Sequence, residues 1–435
     1  MSFRLPRAPT SLTSYLTTIC RFFDQNVQHK FDLLENDRRF QFFGNVSIGS
    51  PPPPPAAPPS GSASTSLAPP YSYPHALHIP LSTLLPHYTH LLLSHGSSLS
   101  ASLPNLAHSA TSSTPLQNVH PALAFVSWYN GHPAYTNLSP SLDKAKHVTI
   151  IGQGNVALDC ARILLKGADG LSETDVPESV LDVLRRSTVE TVEVVGRRGP
   201  GQVAFTTKEF REMMALDGVA FELGCGEDAR AEAEAEVKRI GGSEERMRTR
   251  ILGLMKKGST SKGDKKTKTF KLSFLKTPLA YNPASTTDGE TGPIGSITYG
   301  LNKLLAPQVP SDALGLSHPP PHQPDLPAPA ALAMLTGEKE VVETDMVIES
   351  VGYRSEGIEG ARQAVPFDGR KGRVRNLGGR VVDEDGQPVS SRSRSHLLSS
   401  CLVPSLTLAL TRPPLPSCRS PTRTPQAGPL AVRSE

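Results

Sequence analysis

The chain of 435 residues is short of several things, and each shortage excludes a class of protein. Its five cysteines, Cys20, Cys160, Cys225, Cys401 and Cys418, are odd in number and widely scattered. No C-x-x-C pair occurs, which argues against a zinc knuckle or a dithiol redox centre and suits a reducing compartment. No apolar run approaches bilayer length, so no transmembrane segment is expected. Charge of neither sign dominates: a net +4 decides little, and with no nucleic-acid motif beside it no nucleic-acid partner is expected. Trp128 is the only tryptophan. Glycine is thin at the start: before residue 152 it stands only at Gly44, Gly49, Gly61, Gly96 and Gly131, and no two of these are two apart.

What is abundant is proline, 41 residues of it, gathered in polar stretches that cannot bury a core. One such insert covers 50–70, and 305–332 is another. The first 23 residues carry Arg4, Arg7 and Arg21 among Ser and Thr, with no acid before Asp24. That is the composition of a mitochondrial transit peptide, with a disordered start as the alternative. Segment 26–49 reads as an amphipathic helix followed by a strand near Phe42–Ile48, and Tyr88–Ser94 as a strand. From 147 to 223 strands and helices alternate: strand 147–151, helix 155–166, helix 177–186, strand 191–195, helix 207–216 and strand 219–223. That order predicts an α/β unit with a parallel sheet. The charged run 225–271 reads as surface, with "KKGSTSKGDKKTKTFK" as a loop. "TDMVIESVGY" supplies a late buried strand, and the sequence beyond 388 has no useful periodicity.

The chemistry gathers at "HVTIIGQGNVALDCARILLKG". A buried strand runs into Gly152, Gly154 and Ala157. The first glycine makes the tight turn, the second lets backbone approach a pyrophosphate, and the small third residue lets helix and strand pack closely. Amides at the helix start then face phosphate with the favourable end of the helix dipole. The same spacing recurs at Gly199, Gly201, Ala204 and at Gly224, Gly226, Ala229, so spacing alone is weak. The first recurrence contains Pro200 and follows two arginines; the second puts Glu227 and Asp228 where phosphates would sit. Only at 152 do an apolar strand and a strong helix bracket the turn; an ordinary βα turn is the alternative.

The next strand, "TVEVVGRRG", ends in Arg197 and Arg198 rather than in the acid that binds a ribose 2′-hydroxyl. Two guanidiniums suit a 2′-phosphate and favour NADP over NAD, although arginines exposed after a strand are also common. An extra helix, Val176–Arg186, is expected to be capped by Asp175 with Glu178. Thr206 and Glu209 form a T-x-x-E capping box, reason enough for Glu209 without a ligand.

"GQGNVALDCARILL", "VGRRGPGQVAFTTKEFREMM", "FVSWYNGHP", "FFGNVSIG" and "VIESVGYRS" together resemble the mitochondrial NADPH:adrenodoxin (ferredoxin) oxidoreductase family in a fungal-looking form. The similarity covers about 26–49, 76–223, 245–301 and 340–383. It implies a Rossmann-like NADP-binding domain inserted in an FAD-binding domain, here incomplete, of the two-dinucleotide-binding type. By the resemblance, residues 1–25 are a transit peptide or disordered start, and 26–146 a partial FAD-binding domain. Residues 147–339 are then the NADP-binding domain, 340–387 the return to the FAD-binding domain, and 388–435 a disordered or aberrant tail.

The implied activity passes electrons from NADPH through FAD to an acidic [2Fe–2S] ferredoxin in mitochondria, in the matrix or on the matrix side of the inner membrane. Gly152, Gln153, Gly154, Asn155 and Val156 would contact the NADPH pyrophosphate, Arg197 and Arg198 the 2′-phosphate, and Glu209 the same cofactor. Hydride transfer to a flavin needs no side-chain acid, base or nucleophile, so no catalytic residue and no metal ligand is named. Arg246, Arg248 and Arg250 fall where the family docks its ferredoxin, with Arg246 and Arg250 on one helical face; a solvated helix is the alternative. The family's opening G-x-G-x-x-G turn for FAD and its closing G-W-x-x-R-G-P-x-G segment have no counterpart here. The chain is therefore expected to purify colourless. A non-catalytic NADPH-binding remnant, from a truncated or misspliced gene, is the competing reading. The thioredoxin reductase type is disfavoured by the missing C-x-x-C.

Overall fold

The computed structural model describes residues 37–49, 76–260 except 89, 104, 113 and 241, 267–284, 292–305, and 331–389 except 359, 362 and 363. It also describes two strand segments, 396–399 and 409–411. The proline-rich 50–70, most of 305–332, the first 25 residues and most of the tail lie outside the described residues.

At the centre is a six-stranded sheet, parallel throughout. In chain order its strands are β1 (Val119–Pro121), β2 (His147–Ile151), β3 (Thr191–Val195), β4 (Val219–Gly224), β5 (Lys268–Ser273) and β9 (Met346–Glu349). Across the sheet they run β1-β9-β2-β3-β5-β4. Three antiparallel strands, β6 (Lys276–Pro283), β7 (Ile294–Leu305) and β8 (Leu332–Glu343), form a second sheet. The helices are α1 (Ala122–Tyr129), α2 (Asn155–Lys166), α3 (Glu178–Arg185), α4 (Thr207–Met214), α5 (Glu227–Ile240) and α6 (Gly242–Lys257).

Alternation along the strands sorts the two faces of the central sheet. Val148, Ile150, Val192, Val194, Phe270, Leu272, Met346 and Ile348 share one core with α1, α2, α3, α4 and α6. Ile151, Val195 and Val347 share another with Tyr281, Ile294, Ile297 and Tyr299 of the antiparallel sheet. The molecule's centre is thus three layers: helices, parallel sheet, antiparallel sheet.

The second face also buries polar groups, each with a partner. Thr149 donates to the Thr344 hydroxyl at 2.9 Å. Glu193 accepts from the Ser273 hydroxyl at 2.5 Å, with Lys271 at 3.2 Å and the His147 ring at 3.3 Å. Burial alone would raise the Glu193 carboxyl, but the bonds from His147 and Ser273 and the charge of Lys271 draw it down to about 2.

Strands 147–151 and 191–195 and helix 155–166 stand where the sequence puts them. Three expectations need correction. First, α3 starts at Glu178 with Pro177, not Asp175, at its N-cap position. Pro177 has no N–H for a capping side chain to accept and its fixed φ already suits a helix start. Second, the stretch 256–271, expected as a loop, opens in the last residues of α6 and ends in β5, a strand inside the sheet; α5 and α6 form from the charged residues before it. The lysines disguised it, because Phe270 and Leu272 point to the apolar core while Lys271 meets Glu193 on the other face. Third, residues 396–399 and 409–411 beyond 388 form short strands that pair with His90–Leu93 on its two sides. The expected helix before Phe42 is absent among described residues 37–41, and its earlier part lies outside them.

Candidate functional site

Strands that follow β2 in the chain add on its β3 side, while β9 returns on the other, so the C-terminal end of β2 is the sheet's switch point. Ligands of open α/β sheets bind in the crevice at such a point. Gly152 leaves β2 with φ of +117°, and its amide donates to the Val195 carbonyl at 2.8 Å. A Cβ there would come within 2.1 Å of the Ser350 carbonyl oxygen, just past β9. Gly152 is therefore demanded by the fold itself.

Gly154 is different. It is the N-cap of α2, and a Cβ on it would meet nothing within 4 Å. Space lies open before the backbone where a helix begins, the arrangement a pyrophosphate needs for close approach. Ala157 is fully buried against the strand, so the third small residue serves packing. The residues present fit a dinucleotide.

Other bonds tie this turn to the neighbouring loop. Gln153 donates through Nε2 to the Ser273 carbonyl at 2.7 Å, its carbonyl accepts from the Ala204 amide at 3.1 Å, and its side chain fills the space a Cβ on Gly196 would take. Asn155 accepts from the Thr206 amide at 2.8 Å. Val156 is half-buried against the helix core. Because Ile151 and Val195 are register partners, the turn and the arginine loop emerge side by side from β2 and β3. Arg197 and Arg198 are both exposed there.

Glu209 shows a more structural face. The Thr206 hydroxyl accepts from the Glu209 amide at 3.3 Å, half of the expected capping box. The reciprocal bond is replaced: the Thr206 amide goes to Asn155, and the Glu209 carboxylate accepts from Arg162 at 2.5 Å. Arg162, 4 % exposed, also reaches Asp159 at 2.8 Å and Glu212 at 3.3 Å. Three acids around one guanidinium leave excess negative charge in a desolvated place. Burial, with Glu209 and Glu212 adding to it against the pull of Arg162, raises the Asp159 carboxyl to about 6. Burial also raises that of Glu212. The spacing D-x-x-R on α2 is the sequence signal for this cluster.

The three arginines of α6 part company. Arg246 and Arg250 are exposed and line a shallow surface hollow with Gly242, Glu245 and Thr249. Arg248 is turned inward, 18 % exposed, and donates to the carbonyl of Gly201. Among the described residues no three His, Cys, Asp or Glu gather to ligate a metal, and no helix is long and apolar enough to cross a membrane.

No family model matches the chain. It is 30 % identical over 362 residues to the mitochondrial NADPH:adrenodoxin oxidoreductase of Drosophila melanogaster, across 83 % of this chain and 61 % of that one. The enzyme of the same name from Salvelinus fontinalis is 37 % identical over 279 residues, 62 % of this chain and 49 % of the other. The chain thus spans between about half and three fifths of the length of these curated relatives. Among solved structures, Mycobacterium tuberculosis FprA in complex with NADPH superposes with a TM-score of 0.60 at 26 % identity, covering 85 % of this chain and 66 % of that one. Over the part it shares with them, the chain is similar to the NADPH:adrenodoxin oxidoreductases.

Proposed function

We propose that the chain binds NADPH at the turn of Gly152–Val156 and acts in an NADPH-dependent reductase that passes electrons through FAD to a [2Fe–2S] ferredoxin. One observation carries the nucleotide reading: an open backbone cradle at Gly154 beside two exposed guanidiniums, Arg197 and Arg198. The amides of the first turn of α2 hold the pyrophosphate, and the arginine pair recognises the 2′-phosphate with charge-assisted bonds. Glu209 shapes the same edge through Arg162 and borders the cofactor from there. FAD would supply the hydride-accepting and single-electron-donating chemistry; the protein's part is to bind and orient.

The division into an inserted NADP-binding domain over 147–339 and flanking FAD-binding segments belongs to this reading. So does a mitochondrial location, which the relatives' names support, and within it the matrix or the matrix side of the inner membrane. The acidic ferredoxin docks on the α6 face that exposes Arg246 and Arg250, steered by charge. Arg248 takes no direct part there, since the Gly201 carbonyl occupies it.

A second reading is favoured by one observation. Among the described residues before β2, none of Gly44, Gly49, Gly96 and Gly131 stands between a strand and a helix, so no second glycine cradle for FAD is formed there. On that reading the chain binds NADPH without flavin. Purification of the full chain with its visible spectrum recorded, followed by NADPH-driven reduction of a [2Fe–2S] ferredoxin, separates the two. A stoichiometric flavin band with ferredoxin reduction supports the reductase; a colourless chain that still binds NADP⁺ supports the second reading and removes the first.

A further inference from the structure

The loop bearing Arg197 and Arg198 is gripped from both sides. From the antiparallel sheet, Asn302 donates to the Arg197 carbonyl at 2.9 Å and the Leu275 amide to the Arg198 carbonyl at 3.2 Å. A Cβ on Gly199 would press on Leu304 at 2.8 Å. From the helices, the Gln202 side chain donates through Nε2 to Glu236 at 2.8 Å, Arg248 donates to the Gly201 carbonyl, and Glu244 steadies Arg248 at 3.4 Å. A Cβ on Gly201 would lie 3.2 Å from the Ala233 carbonyl and 3.4 Å from Glu236.

Two features make the helix side unlike ordinary packing. In the run "AEAEAE" of α5, Glu232 and Glu234 are exposed while Glu236 is only 8 % exposed. Burying a glutamate against a loop costs more than burying a leucine of similar reach, so stability alone would favour an apolar residue there. What the polar pair adds is a single geometry, because a hydrogen bond fixes direction as apolar contact does not. Arg248 likewise sits among arginines that face solvent, yet spends its guanidinium on one backbone oxygen of the loop.

We propose that Glu236 and Arg248 are positioning residues that fix the arginine loop and thereby set the preference for a 2′-phosphorylated nucleotide over its unphosphorylated counterpart. The inference rests on the NADPH reading of the site. Two long guanidiniums on a loose loop would lose rotamer and backbone freedom on gripping a phosphate; a loop already held loses less. The 2′-phosphate feels this ordering, while the pyrophosphate on α2 does not.

The test is calorimetric titration of the full chain with NADP⁺ and, separately, NAD⁺. Glu236→Leu and Arg248→Met should each weaken NADP⁺ binding about tenfold, the scale of one hydrogen bond to a charged group, with NAD⁺ affinity moving less than about twofold. Glu236→Gln keeps an accepting oxygen and should restore most of the NADP⁺ affinity. If Glu236→Leu unfolds, Arg248→Lys decides: it keeps the charge near Glu244, loses the fork, and should still lower NADP⁺ affinity selectively. Equal losses for both nucleotides, or no loss for either, would overturn the proposal while leaving the NADPH reading intact. A wild-type chain that does not prefer NADP⁺ would overturn both.

Discussion

Phe210 in the central unit and Leu91 in the flanking segments are both buried to within 1 % of completely, yet their surroundings differ in kind. Phe210 stacks on Phe205 at 5.0 Å and meets Phe221 edge-on at 5.9 Å, within a core that spans α1, α2, α3, α4, α6 and five strands of the parallel sheet. Leu91 shares a small core with Leu81, Leu93, Ala361, Val365, Val374 and Val381, drawn from pieces far apart in the chain. The strands there run two to four residues, such as Phe367–Asp368 and His90–Leu93, against four to six for β2, β3, β4, β5 and β9. The glycine turn at Gly152–Val156 grows from the first region, and no comparable turn grows from the second among the described residues. A continuous core lets a glycine turn be held in one shape; a core assembled from short strands leaves its loops with less to brace them.

The largest effect should come from the point where turn and sheet meet. Gly152→Val forces a branched side chain to a φ of +117° and into the Ser350 carbonyl. We expect at least about 3 kcal/mol of destabilisation in thermal or denaturant melts, with loss of NADP⁺ binding. A stable variant would show that Ser350 moves freely and that the centre is less rigid than described.

Next, Leu91→Ala should cost about 3 kcal/mol, read as earlier melting or faster proteolysis of the flanking segments, while NADP⁺ affinity holds. If nucleotide binding fell in step, the two regions would be one cooperative unit and the contrast would be wrong.

A third test uses acid. Glu193 is drawn down to about 2 from an ordinary 4.5, so the stability it lends is present above pH 4.5 and is lost as pH falls towards 2. Glu193→Gln should flatten that limb of the stability–pH curve, by on the order of 2 kcal/mol given its burial. Asp159, raised to about 6, runs the other way: its contribution is complete below 3.8 and fades as pH rises through 6. An unchanged acid limb in the Glu193 variant would remove the carboxylate from the account.

The smallest change in stability should fall on Gly154→Ala, since its Cβ would meet nothing within 4 Å. Stability should shift by less than about 1 kcal/mol, whereas NADP⁺ binding should weaken markedly as the methyl enters the phosphate space. Unaltered binding would mean that the open space at Gly154 is not where the phosphates lie.

The sequence made the turn legible because its signals are local: an apolar strand, two glycines and a helix within twenty residues. The same locality exposed Arg197 and Arg198 at the end of β3. It failed where meaning depends on distant partners. Lys268–Ser273 looked like solvent-facing charge because Glu193, which neutralises Lys271, belongs to another strand. Arg248 looked like its neighbours Arg246 and Arg250 because nothing in α6 announces the Gly201 carbonyl. Gly224 and Gly226 stand at the end of β4 and just before α5, so a strand and a helix bracket that turn too. What separates them from the turn at 152 is place and charge: β4 is an edge strand, and α5 opens with Glu227 and Asp228.

The central claim is that main-chain amides at Gly154 and the paired guanidiniums of Arg197 and Arg198 select a 2′-phosphorylated dinucleotide. Its most direct test is competitive titration of the full chain and of its Arg197→Ala/Arg198→Ala double variant with NADP⁺ and NAD⁺. The account predicts that the wild type prefers NADP⁺ by about a hundredfold and that the double variant loses this preference with its NAD⁺ affinity unchanged. Equal affinity of the wild-type chain for both nucleotides, or binding of neither, would contradict it.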